Sequence, residues 1–129
     1  MAQIKIYGIA EKLNPIKSEL SNIIHNTVVE ILQLTPDKRF HRFFPLEKVD
    51  FYYPPDRSEN YLIIEIAMFE GRTIDTKKQL LRQLIKNIHH QFGIAINDIE
   101  ISILEIPQHN WGIRGLPGDE LVLGYKVEV

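Results

Sequence analysis

The chain has 129 residues, of which 44% are hydrophobic and 25% are charged, and its formal net charge is −2. This balance gives no case for a basic nucleic-acid-binding surface, and no apolar run reaches membrane-spanning length. The absence of cysteine excludes disulfides, thiol catalysis and zinc–thiolate sites. We expect one domain over 1–129 and a cytoplasmic location, because the first residues lack the apolar core of a signal peptide.

The first 50 residues predict a β-α-β unit. A short strand, "QIKIY", places Ile4 and Ile6 on one face. Asn14-Pro15 predicts the start of a helix, with Asn14 as its N-cap and Pro15 in its first position. The segment "LTPDK" ends this helix, and "RFHRFFPL" predicts a second strand. The apolar positions at helical spacing are Ile16, Leu20, Ile23, Ile24, Val28 and Ile31.

Residues 61–108 predict a second unit of the same kind. "YLIIEIAMF" is an apolar strand suited to the centre of a sheet. Asp75 is predicted to cap the next helix, and Gly93 to end it. "DIEISILEI" then alternates as a strand, with Ile99, Ile101, Ile103 and Glu105 on one side. The helix has an apolar stripe made by Leu80, Leu81, Leu84, Ile85, Ile88 and Phe92.

Joining the two units through a linker at 51–60 predicts an α/β fold (α+β). A helix that crosses between two strands makes each strand pair parallel. The result is a four-stranded mixed sheet with both helices on one face. The other face is expected to be rich in Ile and Leu, and nothing in the chain remains to cover it. This favours an oligomer.

Two further segments each allow two interpretations. The aromatic residues before Pro54-Pro55 form a staple ahead of a surface turn, or else a pocket wall or subunit contact. Residues 109–129 are expected to form a turn and a C-terminal arm, in which "LVLGYKV" is a final strand or hairpin arm. The histidines show no metal-ligand spacing, and His109 is the one that flanks the turn around Trp111.

Arg72, in "FEGRTIDTKKQL", lies between a predicted strand and a predicted helix. A guanidinium can bind a carboxylate through two hydrogen bonds, and a helix N-terminus adds positive potential. The two interpretations are an anion site and a turn with a solvated arginine.

The β-α-β units, "FEGRT" before a helix, and "EIPQHNWGIRG" near the end resemble the tautomerase superfamily. That superfamily includes 4-oxalocrotonate tautomerase, macrophage migration inhibitory factor and malonate semialdehyde decarboxylase, and the length and the tryptophan are most similar to the last. The resemblance implies a MIF-like homotrimer in which the sheets form a central barrel. It implies a small carboxylate ligand. We expect no cofactor, metal, nucleic acid or membrane partner.

The resemblance also implies an amino-terminal proline as general base or acid. This chain instead begins Met1-Ala2, with no proline before Pro15. The α-amine of Met1 or Ala2 would then be the base, and a free α-amine titrates near ~7.7–8.0. Asp37 is a further catalytic candidate, although an ungapped match places Lys38 at the family's catalytic aspartate.

The candidate substrate-binding residues are Arg72, Arg39, Trp111 and Arg114. Arg72 matches an arginine that the family uses for carboxylates, and Trp111 matches an aromatic pocket wall or else lies at an interface. A second family arginine falls on Glu100, which would repel an anion. The sequence therefore predicts an isomerase or decarboxylase of small 2-oxo acids or enols with weak or lost activity. The alternative is a non-catalytic trimer that binds an anion or a protein.

Overall fold

The computed structural model describes residues 2–129, and the candidate Met1 lies outside them. The sheet has four strands: β1 (Ala2–Ile9), β2 (Phe40–Leu46), β3 (Leu62–Phe69) and β4 (Ile99–Ile106). Their order is β2-β1-β3-β4. The outer pairs are parallel and the central pair is antiparallel, as the two-unit prediction requires.

The helices are α1 (Ala10–Leu13), α2 (Lys17–Leu32) and α3 (Ile74–Phe92). The long helices α2 and α3 pack together on one face of the sheet. Ile4, Ile6, Ile64 and Ile66 point toward them and are at most 1% exposed. The predicted fold class, including both long helices on one face, is confirmed.

The predicted start of the first helix is wrong. Helical structure begins at Ala10, directly after β1, and Asn14–Ile16 form a 3-10 turn before α2. Asn14 therefore lies inside a nearly continuous helical segment, where it is the C-cap of α1 and not an N-cap. Pro15 is tolerated there because it lies within the 3-10 turn.

The predicted cap of α3 is also wrong. Thr73 is the N-cap: its backbone is extended, and its hydroxyl accepts a hydrogen bond from the Thr76 amide at 3.1 Å. Asp75 lies in the first helical turn, where its charge favours the helix dipole. Gly93 ends α3 as predicted, with a φ of 66°.

The uncovered face of the sheet is not rich in Ile and Leu. A shallow depression on it is lined mainly by Gln3, Lys5, Glu65, Ala67 and Ser102, with Leu104 exposed beside them. Most isoleucines of the strands face the helices instead, because side chains alternate between the two faces. The argument for an oligomer from a bare apolar face is therefore lost.

The final segment also differs from the prediction. A short hairpin of β5 (Gly112–Ile113) and β6 (Leu116–Pro117) precedes it. Residues 121–129, all of which are described, contain no helix or strand, so the predicted strand "LVLGYKV" is wrong. Among residues 2–129, no helix combines the length and apolar character needed to cross a bilayer.

Candidate functional site

A cavity of about 230 Å³ opens where β1 begins. It brings together three predicted site residues that are distant in sequence, Ala2, Asp37 and Arg114. They come from the first strand, the loop after α2 and the β5–β6 hairpin. The full lining is Ala2, Leu34, Thr35, Asp37, Lys38, Arg114, Gly124 and Tyr125.

The loop after α2 brings Asp37 and Lys38 to the cavity. α2 ends at Gln33, whose left-handed backbone (φ 55°) turns the chain sharply. His25 is buried, and its Nε2 lies 2.7 Å from the Pro36 carbonyl oxygen. A carbonyl can only accept, so Nε2 carries the proton and donates it. His25 therefore helps to hold this loop.

Arg114 reaches the cavity from the turn between β5 and β6. Arg114 and Gly115 have φ values of 52° and 83°, so both central residues of the two-residue turn are left-handed. Glycine adopts this conformation freely, whereas arginine does so at a cost of roughly 1–2 kcal/mol. Such strain is found at functional sites more often than elsewhere.

Arg72 is neither solvated nor part of the cavity lining. It is 4% exposed, and its Nη1 donates to the Phe69 carbonyl oxygen at 3.0 Å. Its Nε and Nη2 are buried and have no hydrogen-bond partner among residues 2–129. Burial lowers the pKa of Arg72, and the carboxylates of Glu105 and Glu128 oppose that shift. Each unsatisfied buried donor costs about 1–3 kcal/mol.

Tyr125 connects Arg72 with the cavity. Its ring centroid lies 6.0 Å from the Arg72 guanidinium carbon, and the same residue lines the cavity. Its hydroxyl is buried and also lacks a hydrogen-bond partner among the described residues. Arg72, the residue predicted to bind an anion, and the cavity therefore share Tyr125 as a neighbour.

Residues 124–129, here called the strap, cover Arg72. Val127 is 3% exposed and lies against Gly71, where an added Cβ would approach its Cγ1 to 2.8 Å. The Val129 carbonyl oxygen accepts from the Thr73 amide at 3.2 Å and from the Thr76 hydroxyl at 2.9 Å. The strap thus crosses the N-terminus of α3, the position predicted to attract an anion.

Trp111 packs behind this site. Its ring meets that of Phe69 edge-on, with centroids 5.1 Å apart. It belongs to a small apolar cluster that includes Val127 and Tyr125. Trp111 is therefore next to the strap, outside the cavity lining.

Arg39 and Glu100 point elsewhere. Arg39 donates to Asn22 on α2 at 2.7 Å and approaches the Ser21 hydroxyl at 3.4 Å. Glu100 accepts from the Tyr61 hydroxyl at 2.7 Å. Neither residue lines the cavity.

Two other predicted features can be placed. His109 lines a separate open depression along the β5–β6 hairpin. Within residues 2–129, no cluster of three or more His, Asp or Glu side chains could bind a metal ion. Sequence reasoning missed Tyr125 as a lining residue, because "LVLGYKV" was interpreted as a final strand or hairpin arm.

Comparison with known proteins identifies the family. Residues 38–114, more than half of the chain, match the family model described as tautomerase enzyme, and the chain belongs to that family. The probable tautomerase YusQ of Bacillus subtilis (strain 168) is 26% identical over 98 residues, which cover 72% of this chain and 77% of that protein. A 2-hydroxymuconate tautomerase of Pseudomonas putida is 33% identical over 57 residues, 44% of this chain and 90% of its own.

Solved structures agree on the fold. FG41 malonate semialdehyde decarboxylase inhibited by 3-bromopropiolate matches with a TM-score of 0.76 at 24% identity, covering 84% of this chain and 86% of its own. Native fused 4-OT matches with a TM-score of 0.81 at 17% identity, covering 92% and 98%. These likenesses support the fold, including the arrangement of two β-α-β units in one chain.

Proposed function

We propose that this protein is a weak tautomerase-like isomerase, or a related decarboxylase, of small 2-oxo acids and their enols. The observation that carries the proposal is the cavity in which Ala2, Asp37, Lys38 and Arg114 meet. Two cationic side chains face one carboxylate there, so the lining favours a small anion. A relative that matches over nearly its whole length is a 2-hydroxymuconate tautomerase.

In the proposed reaction, Lys38 and Arg114 bind the carboxylate of the substrate. The α-amine of Ala2, exposed by removal of Met1, takes the proton of the enol hydroxyl and returns a proton to carbon. The net change is enol to ketone, with no proton gained or lost. An amine titrating near ~7.7–8.0 needs only a modest lowering of its pKa to act as a base at neutral pH.

The activity is expected to be weak. A primary amine on alanine is free to rotate, whereas a proline amine is fixed by its ring, and misplacement of a catalytic group costs rate steeply. Asp37 is the second candidate base, because its carboxylate lines the same cavity.

A non-catalytic, anion-binding protein is the competing proposal, and one observation favours it. Arg72, which matches the arginine that the family uses to bind a carboxylate, is hydrogen-bonded to a backbone carbonyl and covered by Tyr125.

A homotrimer belongs to both proposals. Fused 4-OT has been solved as a trimer, and the uncovered sheet face leaves room for the same assembly. Light scattering on purified protein should give about three times the 15.1 kDa chain mass.

The test measures ketonisation of phenylenolpyruvate and 2-hydroxymuconate, after intact-mass analysis has established the first residue. We expect slow turnover that Arg114→Gln and Lys38→Gln reduce and that chemical blocking of the α-amine abolishes. Ala2→Pro should raise turnover, whereas Ala2→Ser, which keeps a primary amine, should not.

Turnover that survives amine blocking but is lost in Asp37→Asn would move the base to Asp37. Carboxylate binding without turnover in the parent and in Ala2→Pro would establish the non-catalytic alternative. Absence of both binding and turnover would overturn the proposal.

A further inference from the structure

We infer that the strap is a lid over Arg72, and that Tyr125 determines whether Arg72 can reach a ligand in the cavity. The inference rests on the proposed function, because it assigns a second carboxylate-binding point to the same small anion. In the observed arrangement the strap is closed: Tyr125 lines the cavity, and its ring centroid lies 6.0 Å from the guanidinium carbon of Arg72. A dicarboxylate would bind Lys38 and Arg114 with one end and, once the strap opens, Arg72 with the other.

The polar atoms beneath the strap fit a carboxylate. Nη1 of Arg72 is engaged by the Phe69 carbonyl, which leaves Nε and Nη2 without partners among residues 2–129. These two nitrogens form one edge of the guanidinium, and a carboxylate can accept from both at once. The adjacent 19-residue helix α3 directs its positive end toward the same place.

The nearby carboxylates do not already fill this position. Glu105 bonds Lys77, at 2.6 Å from Nζ to Oε1. Glu128 belongs to the strap itself and is exposed. If the strap moves away, Glu128 moves with it, and the carboxylate of the ligand takes over its electrostatic role beside Arg72.

The strap has the anchoring expected of a lid. Its anchoring contacts next to Arg72 are the buried Val127 side chain against Gly71, the Tyr125 ring and the two hydrogen bonds to the Val129 carbonyl. Within the described residues it contains no helix or strand that would tie its opening to unfolding of the core. Segments held by so few contacts open at far lower free energy than core elements.

The experiment uses malonate as a dicarboxylate probe, acetate as the matched monocarboxylate, and titration calorimetry on the full chain. Val127→Ala removes two methyl groups from the anchor, and we expect the Kd of malonate to fall by about tenfold as the open fraction rises. Tyr125→Ala should act in the same direction. Tyr125→Phe, which keeps the ring, should retain the Kd of the parent.

The single tryptophan provides a second measurement, because Trp111 shares an apolar cluster with Val127 and Tyr125. Malonate should shift Trp111 emission as the strap leaves, and acetate should not. Combining Val127→Ala with Arg72→Met should cancel the gain in affinity. Thermal unfolding of each variant confirms that it is folded.

The outcomes separate this inference from the proposed function. Malonate binding that depends on Arg114 but is unchanged in Val127→Ala and Tyr125→Ala overturns the lid and leaves the proposed function standing. A gain in affinity that persists without Arg72 also overturns the inference, because the released site would lie elsewhere. Failure of the parent and all strap variants to bind malonate overturns this inference, whereas the proposed function is decided separately by the turnover assay.

Discussion

The two β-α-β halves match at a constant offset of 60 residues (64 − 4), yet they treat the start of the helix differently. Ile4 pairs with His41 on the neighbouring strand, as Ile64 pairs with Ile101. After the first strand the chain turns directly into helix, and Lys12 is exposed. After the equivalent strand a loop intervenes, and Arg72, at the position of Lys12, is buried.

The difference shows which parts of the repeated unit serve the fold and which serve the site. Many positions that face the core are apolar in both halves. The diverging positions hold Arg72 and Thr73, the N-cap of α3, in the second half, where the strap packs against them. In the first half they belong to a nearly continuous helical segment. The equivalent core pairs are Ile4 and Ile64, Ile6 and Ile66, Leu20 and Leu80, Ile24 and Leu84, and Val28 and Ile88.

The largest expected effect tests whether the halves contribute equally to the core. Leu20 and Leu80 are both fully buried. Leu20→Ala and Leu80→Ala should each lower the free energy of unfolding by about 2.7–5 kcal/mol, from lost transfer energy and the cavity left behind. Urea unfolding at one fixed protein concentration measures this. The exposed Val122, changed to alanine, is the control, and a small effect for only one leucine would contradict the equivalence.

The next effect tests the position at which the halves diverge. Arg72→Met should weaken binding of malonate by about 1.5–3 kcal/mol, the scale of a hydrogen bond to a charged group. Lys12→Met, its exposed counterpart in the first half, should leave binding unchanged. Calorimetry measures both. Stability should not fall in Arg72→Met, because the change removes a buried charge with two unpartnered nitrogens. Equal Kd values for the two variants would remove Arg72 from the site.

Much of this comparison could be predicted from the sequence, because the apolar periodicity of strands and helices is local. The site was harder to predict from the sequence than the fold. Thr73 and Asp75 are both good caps two residues apart, and periodicity alone could not choose between them. Burial of Arg72 depends on the strap, a contact more than 50 residues away along the chain. Charged side chains are rarely buried, so solvent or a ligand was the natural expectation for Arg72.

One wrong prediction could have been avoided from the sequence. Lys5, Tyr7 and Glu65 alternate with the isoleucines of their strands, so the polar character of the uncovered face was already readable. The cavity, unlike the polar face, could not be predicted from local patterns. Ala2, Asp37 and Arg114 come together only through the sheet, a loop and a hairpin, and only the family resemblance suggested that they would meet.

A smaller effect concerns His41, whose counterpart is Ile101. Its Nδ1 is hydrogen-bonded to the Ser21 hydroxyl at 2.8 Å. Burial lowers the pKa of His41 from 6.5 to about 4, and the neighbouring His25 and Arg39 act in the same direction. Below pH 6.5 the imidazole at position 41 binds a proton more readily in the unfolded chain than in the folded one. The free energy of unfolding should therefore decrease as the pH falls toward about 4.

The loss should be about 1–2 kcal/mol after allowance for partial exposure of the ring. His41→Leu should remove this part of the pH dependence. Urea midpoints at about pH 7 and about pH 5 measure it, with the variant as reference for the other titrating groups. Parallel pH profiles for parent and variant would contradict the assignment to His41.

The smallest effect compares the ends of the two long helices. Gln33 ends α2 with a φ of 55°, and Gly93, its equivalent, ends α3 with a φ of 66°. The same left-handed geometry is thus occupied by glycine in one half and by a residue with a Cβ in the other.

Gln33→Gly should therefore stabilise the protein and Gly93→Ala should destabilise it, each by about 1 kcal/mol. An added Cβ at Gly93 meets no atom within 4 Å, so backbone strain is the sole expected cost there. Thermal and urea unfolding of the two variants measure the signs. Destabilisation by Gln33→Gly would mean that the glutamine contributes to the loop carrying Asp37 in a way that outweighs its strain, and the two helix ends would then differ in function as their starts do.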